Sequence, residues 1–169
     1  FNEQLLHKGT QRKYPLHIKL ETGMHRLGFK ADELIELKQK LNTMNVEVKS
    51  IFSHLSSADD ENEKDYTMDQ ILTFSRNSEK LMEGLQYRPM RHILNSSGIV
   101  NYSDFQYDMV RIGIGMVGIS PDQKIKKQLR NAVRFKTVIS QISEVEKGDS
   151  IGYNRKFKAE NTTKIATIP

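Results

Sequence analysis

The sequence predicts an α/β protein in which strands alternate with helices, followed by a region of strands alone. Apolar residues recur at helical spacing over residues 31–44 and 67–85, which predicts two amphipathic helices. Short apolar runs lie between them, as expected of βα units and a parallel sheet. Further along, residues 133–145 alternate between apolar and polar, which indicates an antiparallel strand. We therefore predict two domains, residues 1–118 and residues 119–169.

Each element of the first domain has its own pattern. Residues 1–8 place apolar side chains on one side, which is typical of the last turns of a helix. Thr67 and Gln70 have the spacing of a capping box, so the second long helix is predicted to begin there. Strands are predicted over residues 14–20, 46–53, 90–94 and 108–112. In the second domain we predict a turn over residues 146–149 and strands over residues 133–145, 151–153 and 162–168.

The composition excludes several classes of protein. With 37% hydrophobic and 28% charged residues, the chain has the balance of a water-soluble folded protein. It contains no apolar run long enough for a membrane helix, no signal peptide, and no cysteine for disulfides or thiolate metal sites. The net charge of +5 is distributed among interspersed acidic residues, so no nucleic acid partner and no metal are expected. A cytoplasmic location is the simplest expectation.

The length suggests that the chain belongs to something longer. A complete (β/α)8 barrel needs roughly 250 residues, and this chain has 169. It begins at Phe1 and stops in the strand-like run KIATIP. We therefore expect both ends to be cut from a larger protein.

Polar residues follow the predicted strands. Strand ends of parallel βα units share one edge, where ligands bind. These residues are Arg26, His54, Asn95, Ser96 and Arg111. Each also has an ordinary structural interpretation, as a loop or ion-paired arginine, a hydrogen-bonded histidine, or a helix cap. In the run DMVRIGIGMVG over residues 108–118, the glycines can offer backbone N–H groups to an anion such as a phosphate.

This run, together with ETGMHRLGF at residues 21–29, FSHLSSADD at 52–60 and LNSS at 94–97, resembles the alanine racemase family. That family consists of pyridoxal 5'-phosphate (PLP) enzymes built on a TIM-type (β/α)8 barrel with a β-rich second domain. The resemblance implies a fragment: the second half of the barrel and the first strands of the second domain.

The resemblance also implies an activity. The parent would interconvert L-alanine and D-alanine by a two-base mechanism, supplying D-alanine for bacterial peptidoglycan, as a cytoplasmic homodimer. The fragment lacks the family's Schiff-base lysine, so we expect it to be inactive alone.

Cofactor-binding roles are implied in the same way. Gly113 and Ile114 match the backbone donors to the PLP phosphate, and Ser96 adds a hydroxyl. Arg111 matches the arginine that faces the pyridine nitrogen, and His54 and Asn95 match residues that hold this arginine. Because arginine only donates hydrogen bonds, the ring nitrogen must accept one.

The remaining implied roles concern proton transfer. Tyr153 matches the acid/base tyrosine, which the family takes from the other subunit, and Arg26 matches the arginine beside it. Lys19 matches a lysine that is carbamylated in many members. A phenol has a pKa near ~10, so neighbouring cations must favour the ionised tyrosine for it to act as a base at neutral pH.

Several alternatives remain open at this point. A non-catalytic PLP-binding barrel would have no second domain. Another fold-related amino-acid racemase could prefer serine to alanine, and a fold-related decarboxylase would use an acidic partner for the ring nitrogen in place of Arg111. A structural or interaction domain could keep the fold without chemistry.

Overall fold

The computed structural model describes residues 13–169, apart from the side chain of Lys124. The helical turns predicted over residues 1–8 lie outside the described residues. The chain divides into two compact units, Phe1–Ala132 and Val133–Pro169. Among the described residues, no helix has the length and apolar character needed to cross a membrane.

The first unit alternates strands with helices, as predicted. Its strands are β1 (Tyr14–Lys19), β2 (Val46–Phe52) and β3 (Met90–His92). Its helices are α1 (Leu34–Thr43), α2 (Lys64–Met82), α3 (Ser96–Asn101) and α4 (Gln123–Lys126). The strands form one parallel sheet in the order β1-β2-β3. The α/β class is therefore confirmed, as a partial (β/α)8 barrel followed by β structure.

The helices and the sheet of this unit share one hydrophobic core. The stripe predicted for α1 is buried through Leu34, Leu37 and Leu41. In α2, Phe74 and Leu81 are fully buried. The core also includes strand residues of β1 and β2, together with Ile93 and Leu94 directly after β3. This packing fixes the carboxyl ends of the three strands relative to one another.

The predicted start of α2 is wrong. The helix begins at Lys64 and follows a 3-10 turn at Glu61–Glu63. The side chain of Asp60 accepts a hydrogen bond from Asn62 N–H at the start of this turn. Acidic residues favour the amino end of a helix, so Glu61 and Glu63 extend it toward the N-terminus. Thr67 therefore lies inside α2, where it is buried.

The strand predicted over residues 108–112 is also wrong. Residues 108–112 donate two backbone hydrogen bonds to β3 and the residues directly after it. Asp108 N–H donates to Arg91 O at 3.1 Å, and Arg111 N–H donates to Leu94 O at 3.1 Å. A parallel ladder would repeat every two residues, whereas these bonds are three residues apart on both segments. The glycines that follow form a 3-10 turn at Ile114–Val117.

The second unit consists of two antiparallel pairs. Strand β4 (Gln141–Val145) pairs with β7 (Thr163–Thr167), and β5 (Ser150–Ile151) pairs with β6 (Phe157–Lys158). The predicted turn over residues 146–149 is confirmed. The strand predicted over residues 133–145 forms only from residue 141, because its partner β7 is just five residues long. The strand predicted over 151–153 ends at Ile151.

Candidate active site

Arg111 lies beyond the carboxyl ends of β2 and β3, and its side chain binds the backbone of both. Nη2 donates to the carbonyl oxygens of Ser53 at 2.6 Å and Ile93 at 3.2 Å. Nη1 donates to the carbonyl oxygen of His92 at 3.3 Å. The guanidinium is half-buried and lies over the Phe52 ring, with 5.5 Å from Cζ to the ring centroid. These contacts fix one positive charge at the strand ends.

Two histidine rings flank this guanidinium. Nη2 donates to Nδ1 of His54 at 3.3 Å, and Nη1 donates to Nδ1 of His92. Since arginine cannot accept a hydrogen bond, both rings must present an unprotonated Nδ1 to it. Burial, followed by the charge of Arg111, lowers the pKa of His54 and lowers the pKa of His92 to about 4. Both rings are therefore neutral at pH 7.

The sequence reasoning missed His92. The residue is the last of β3, and its ring stacks on Phe52 with centroids 5.1 Å apart. A histidine in such a strand is usually a structural residue, so nothing in the sequence pattern separated it from packing. The contact between His92 and Arg111, which lies 19 residues further along the chain, is visible only in the folded structure.

The glycine turn after Arg111 lies against Ser96. The backbone N–H groups of Gly113 and Gly115 donate to Ser96 Oγ at 2.9 Å and 3.2 Å. A Cβ on Gly115 would lie 3.4 Å from that oxygen, an ordinary van der Waals distance, so the turn packs directly against Ser96. Ile114 begins the 3-10 turn between them. Backbone donors and a hydroxyl thus gather at one place beside Arg111, as an anion site requires.

Asn95 has a local role in the structure. Its Oδ1 accepts from Gly98 N–H at 2.9 Å, which caps α3, and its Nδ2 donates to Leu55 O at 3.1 Å. Both polar atoms of the side chain are therefore engaged away from Arg111. The contacts tie α3, which carries Ser96, to the segment that follows β2.

The last residue of β1, Lys19, and the loop residue Arg26 belong to the same region. Burial, then the charge of Arg26, lowers the pKa of Lys19, while Glu21 opposes this and Arg111 adds to it. Arg26 and Lys19 also lower the pKa of His54. The side chain of Arg26 is exposed. The structure therefore brings Lys19, Arg26, His54 and Arg111 within electrostatic range of one another.

Hydrogen bonds hold this loop to the rest of the first unit. Ser53 Oγ donates to Leu20 O at 2.8 Å, so its contact with Thr22 Oγ1 at 2.7 Å must be donated by the threonine. Tyr66 of α2 donates its hydroxyl hydrogen to Gly23 O at 2.6 Å. The loop that carries Arg26 is thus fixed at its base.

Tyr153 belongs to the second unit. It begins the 3-10 turn Tyr153–Arg155, and its side chain is 98% exposed. Gly152 precedes it at φ +75°, in the left-handed region that favours glycine, with open space where a Cβ would lie. The turn therefore presents the phenol outward from its own unit.

A parallel βα fold with a fixed guanidinium and a cluster of hydrogen-bond donors at its strand ends defines a class of protein that binds a small anionic ligand there. A family model described as "Alanine racemase, N-terminal domain" matches residues 3–121, and "Alanine racemase, C-terminal domain" matches residues 132–169. The chain belongs to the alanine racemase family.

Curated relatives agree with this assignment. "Alanine racemase 1" of Oceanobacillus iheyensis is 33% identical over 165 residues, which cover 96% of this chain and 44% of the relative. "Alanine racemase" of Clostridium tetani is 39% identical over 166 residues, covering 95% of this chain and 42% of the relative. The chain thus spans less than half the length of these relatives.

Solved structures give the same result. Alanine racemase from Bacillus anthracis with bound L-Ala-P matches with a TM-score of 0.62 at 28% identity, over 92% of this chain and 42% of that one. Alanine racemase from Bartonella henselae with covalently bound pyridoxal phosphate matches with a TM-score of 0.59 at 28% identity and the same coverage. The family is PLP-dependent, and its members are isomerases.

Proposed function

We propose that this chain forms the second half of the PLP-binding barrel and the first strands of the C-terminal domain of an alanine racemase. The observation that carries the proposal is Arg111, fixed by backbone carbonyls between two neutral histidines and adjacent to the turn that contacts Ser96. We keep the domain boundary at residues 118 and 119. The segment that follows then packs back on the first unit, where Ala132 N–H donates to Val117 O at 3.2 Å.

The donor set fits PLP. Ser96 and the backbone N–H groups of Gly113 and Ile114 would hold the phosphate, and Arg111 would face the ring nitrogen. The N–H groups that gather at Ser96 carry no side-chain charge, which suits a dianion held in a partly buried turn. Bound PLP supplies a conjugated ring that delocalises the electron pair left at Cα when the α-proton is removed.

Arg111 controls the protonation of the site. Burial lowers the pKa of its guanidinium, but arginine begins so high that it stays charged at neutral pH. With PLP bound, Arg111 would donate a hydrogen bond to the ring nitrogen without transferring a proton. An unprotonated ring would draw fewer electrons, which would favour racemisation over side reactions. A decarboxylase would place an acid here, so Arg111 favours the racemase.

Two bases exchange the α-proton in the proposed reaction. Tyr153 acts on one face of the substrate, from the partner subunit of a homodimer, and a lysine outside this chain acts on the other. The pKa of Lys19 is lowered by burial, then by Arg26, and a neutral amine is the form that a carbamate needs.

The proposed substrate is alanine, and the product would be D-alanine for peptidoglycan, made in the cytoplasm. Racemisation needs both bases, so the 169 residues alone should be inactive. These proposals are based on the relatives named above. They remain proposals because the chain covers only part of the length of those relatives.

The test is substitution of Tyr153 by phenylalanine in the full-length racemase. We expect kcat to fall by about 10²- to 10⁴-fold, the usual contribution of a general acid or base, while PLP still binds. Tyr14→Phe is the control, because Tyr14 is also exposed but lies in β1. Conversion of L-alanine to D-alanine, followed by circular dichroism, is the measurement. Unchanged racemisation by Tyr153→Phe, or robust turnover by the isolated chain with PLP, would contradict the proposal.

A further inference from the structure

The contacts of His92 continue beyond Arg111, across the sheet. Its Nε2 lies 3.0 Å from Ser50 Oγ, and that oxygen lies 2.7 Å from Nδ1 of His17. The three side chains come from β3, β2 and β1 in turn. Ser50 is fully buried and His92 is 5% exposed. A line of polar groups therefore connects the guanidinium to the first strand of the sheet.

Arg111 sets the direction of the hydrogen bonds in this line as far as Ser50. The guanidinium can only donate, so Nδ1 of His92 must accept from it. The neutral ring then carries its single hydrogen on Nε2, which donates to Ser50 Oγ. Ser50 Oγ is also 2.7 Å from Nδ1 of His17, so the hydroxyl can donate its own hydrogen to that nitrogen. The line of contacts runs from Arg111 through His92 and Ser50 to His17.

We propose that Ser50 is a positioning residue of the racemase site: by accepting from Nε2 of His92, it holds the ring in the tautomer that keeps a lone pair toward Arg111. The inference rests on the proposed function of Arg111. Without an acceptor at position 50, the Nε2–H group would be buried and unpaired, which is costly. The ring would then rotate, and Arg111 would lose one of the contacts that aim it.

The hydroxyl at position 50 suits this role chemically. A hydroxyl oxygen can accept from Nε2–H of His92 whichever role Nδ1 of His17 takes, because it can also donate its own hydrogen. Ser50 follows Val46 and Val48 on the alternating positions of β2, all three of which are buried. A serine in this series exchanges apolar packing for a hydrogen-bonding function.

The experiment reads the His92 ring directly, in full-length protein labelled with 15N-histidine. The resonances of His92 are assigned as those lost in His92→Gln. The two ring nitrogens differ widely in 15N shift when one tautomer is fixed, and the difference shrinks when tautomers mix. We expect the wild-type ring to carry its hydrogen on Nε2, both without PLP and with it. In Ser50→Ala we expect the shift difference to shrink by about half and kcat/KM for alanine to fall about tenfold, the effect of one unpaired buried N–H.

Two variants complete the design. Ser50→Thr keeps the hydroxyl, so it should retain the wild-type ring signature and a kcat/KM within about threefold of wild type. Ser78→Ala removes a different buried hydroxyl, one that donates to Ser75 O in α2, and should leave the His92 ring unchanged. A merely structural role for Ser50 would lower stability in both alanine variants without altering the His92 tautomer.

A wild-type His92 ring protonated on Nδ1, or an unchanged ring signature in Ser50→Ala, would overturn the role of Ser50. The protonation of the wild-type His92 ring is measured without any variant, so this test can still overturn the proposal if Ser50→Ala fails to fold. Failure of the proposed function has a different appearance: wild-type protein that binds no PLP and does not racemise alanine, whatever the His92 ring shows.

Discussion

The two units of the chain hold their side chains in different ways. In the first unit, residues such as Phe74, Leu81 and Ile93 are fully buried, with 0% of their surface accessible to solvent. In the second, Phe135 is 94% exposed and Tyr153 is 98% exposed. The first unit thus builds its strand-end site on its own core. The second unit is held by hydrogen bonds between paired strands, and large side chains such as Phe135 and Tyr153 are not packed within the unit.

The largest expected effect concerns this contrast in packing. Phe74 is fully buried and contacts Tyr107 edge-to-face, with centroids 5.4 Å apart, so Phe74→Ala should lower the free energy of unfolding by about 3–5 kcal/mol. Ile142 lies in β4 and is 65% exposed, so Ile142→Ala should cost less than about 1 kcal/mol. Urea denaturation of the full-length protein measures both. Equal losses in the two variants would show that the contrast between the units is wrong.

The second prediction tests whether the site depends on the geometry of the guanidinium or only on its charge. Arg111→Lys keeps the charge but cannot reach both strand ends, so we expect kcat/KM to fall about 100-fold and PLP to bind more weakly. Arg76→Lys is the matched control, because Arg76 is exposed and its side chain donates to Thr73 Oγ1 on its own helix, at 3.4 Å. Steady-state kinetics and PLP titration check this. A lysine variant as active as Arg76→Lys would mean that charge alone suffices.

The smallest effect is a dependence of stability on pH. The pKa of His92 is about 4 in the folded protein, lowered by burial and then by Arg111 and His17, against ~6.5 when unfolded. The unfolded chain therefore binds the proton more readily between these values, so stability is complete above pH ~6.5 and declines as the pH falls toward 4. From pH 7 to pH 5 we expect a loss of about 1–2 kcal/mol.

His92→Gln should flatten this dependence, since glutamine does not titrate. The second unit contains none of the five histidines of the chain, so its hydrogen exchange should lack the same response. Denaturation at several pH values gives the slope. An unchanged slope in His92→Gln would assign the effect to other groups.

Much of the first unit could be predicted from the sequence because its patterns are local. The helical stripes of α1 and α2 and the apolar runs of β1 and β2 reflect burial that each segment carries by itself. The prediction of a strand over residues 108–112 was wrong for a reason that is not local. The carbonyl oxygen of Ile93, which a new neighbouring strand would use, accepts a hydrogen bond from the Arg111 side chain. A propensity for strand cannot reveal that an arginine takes this acceptor.

The site was predicted in outline through its strand ends and motifs, and its buried partners were not. His54 and Ser96 follow strands, and Arg111 directly precedes the glycine turn, so all three stand out as polar groups in the sequence. His92 and Ser50 lie within strands, where one polar residue among apolar ones is usually structural. Ser50 did leave a trace, a hydroxyl in the buried series of Val46 and Val48, but its meaning depends on a ring from another strand.

Ser53 joins two segments that are distant in the sequence. Its hydroxyl donates to Leu20 O and accepts from Thr22, while its carbonyl oxygen accepts from Arg111. A change of volume at this one position would displace the loop after β1 and the guanidinium together. Among relatives, residues 22 and 53 should therefore covary, and laboratory evolution of substrate preference should alter them as a pair.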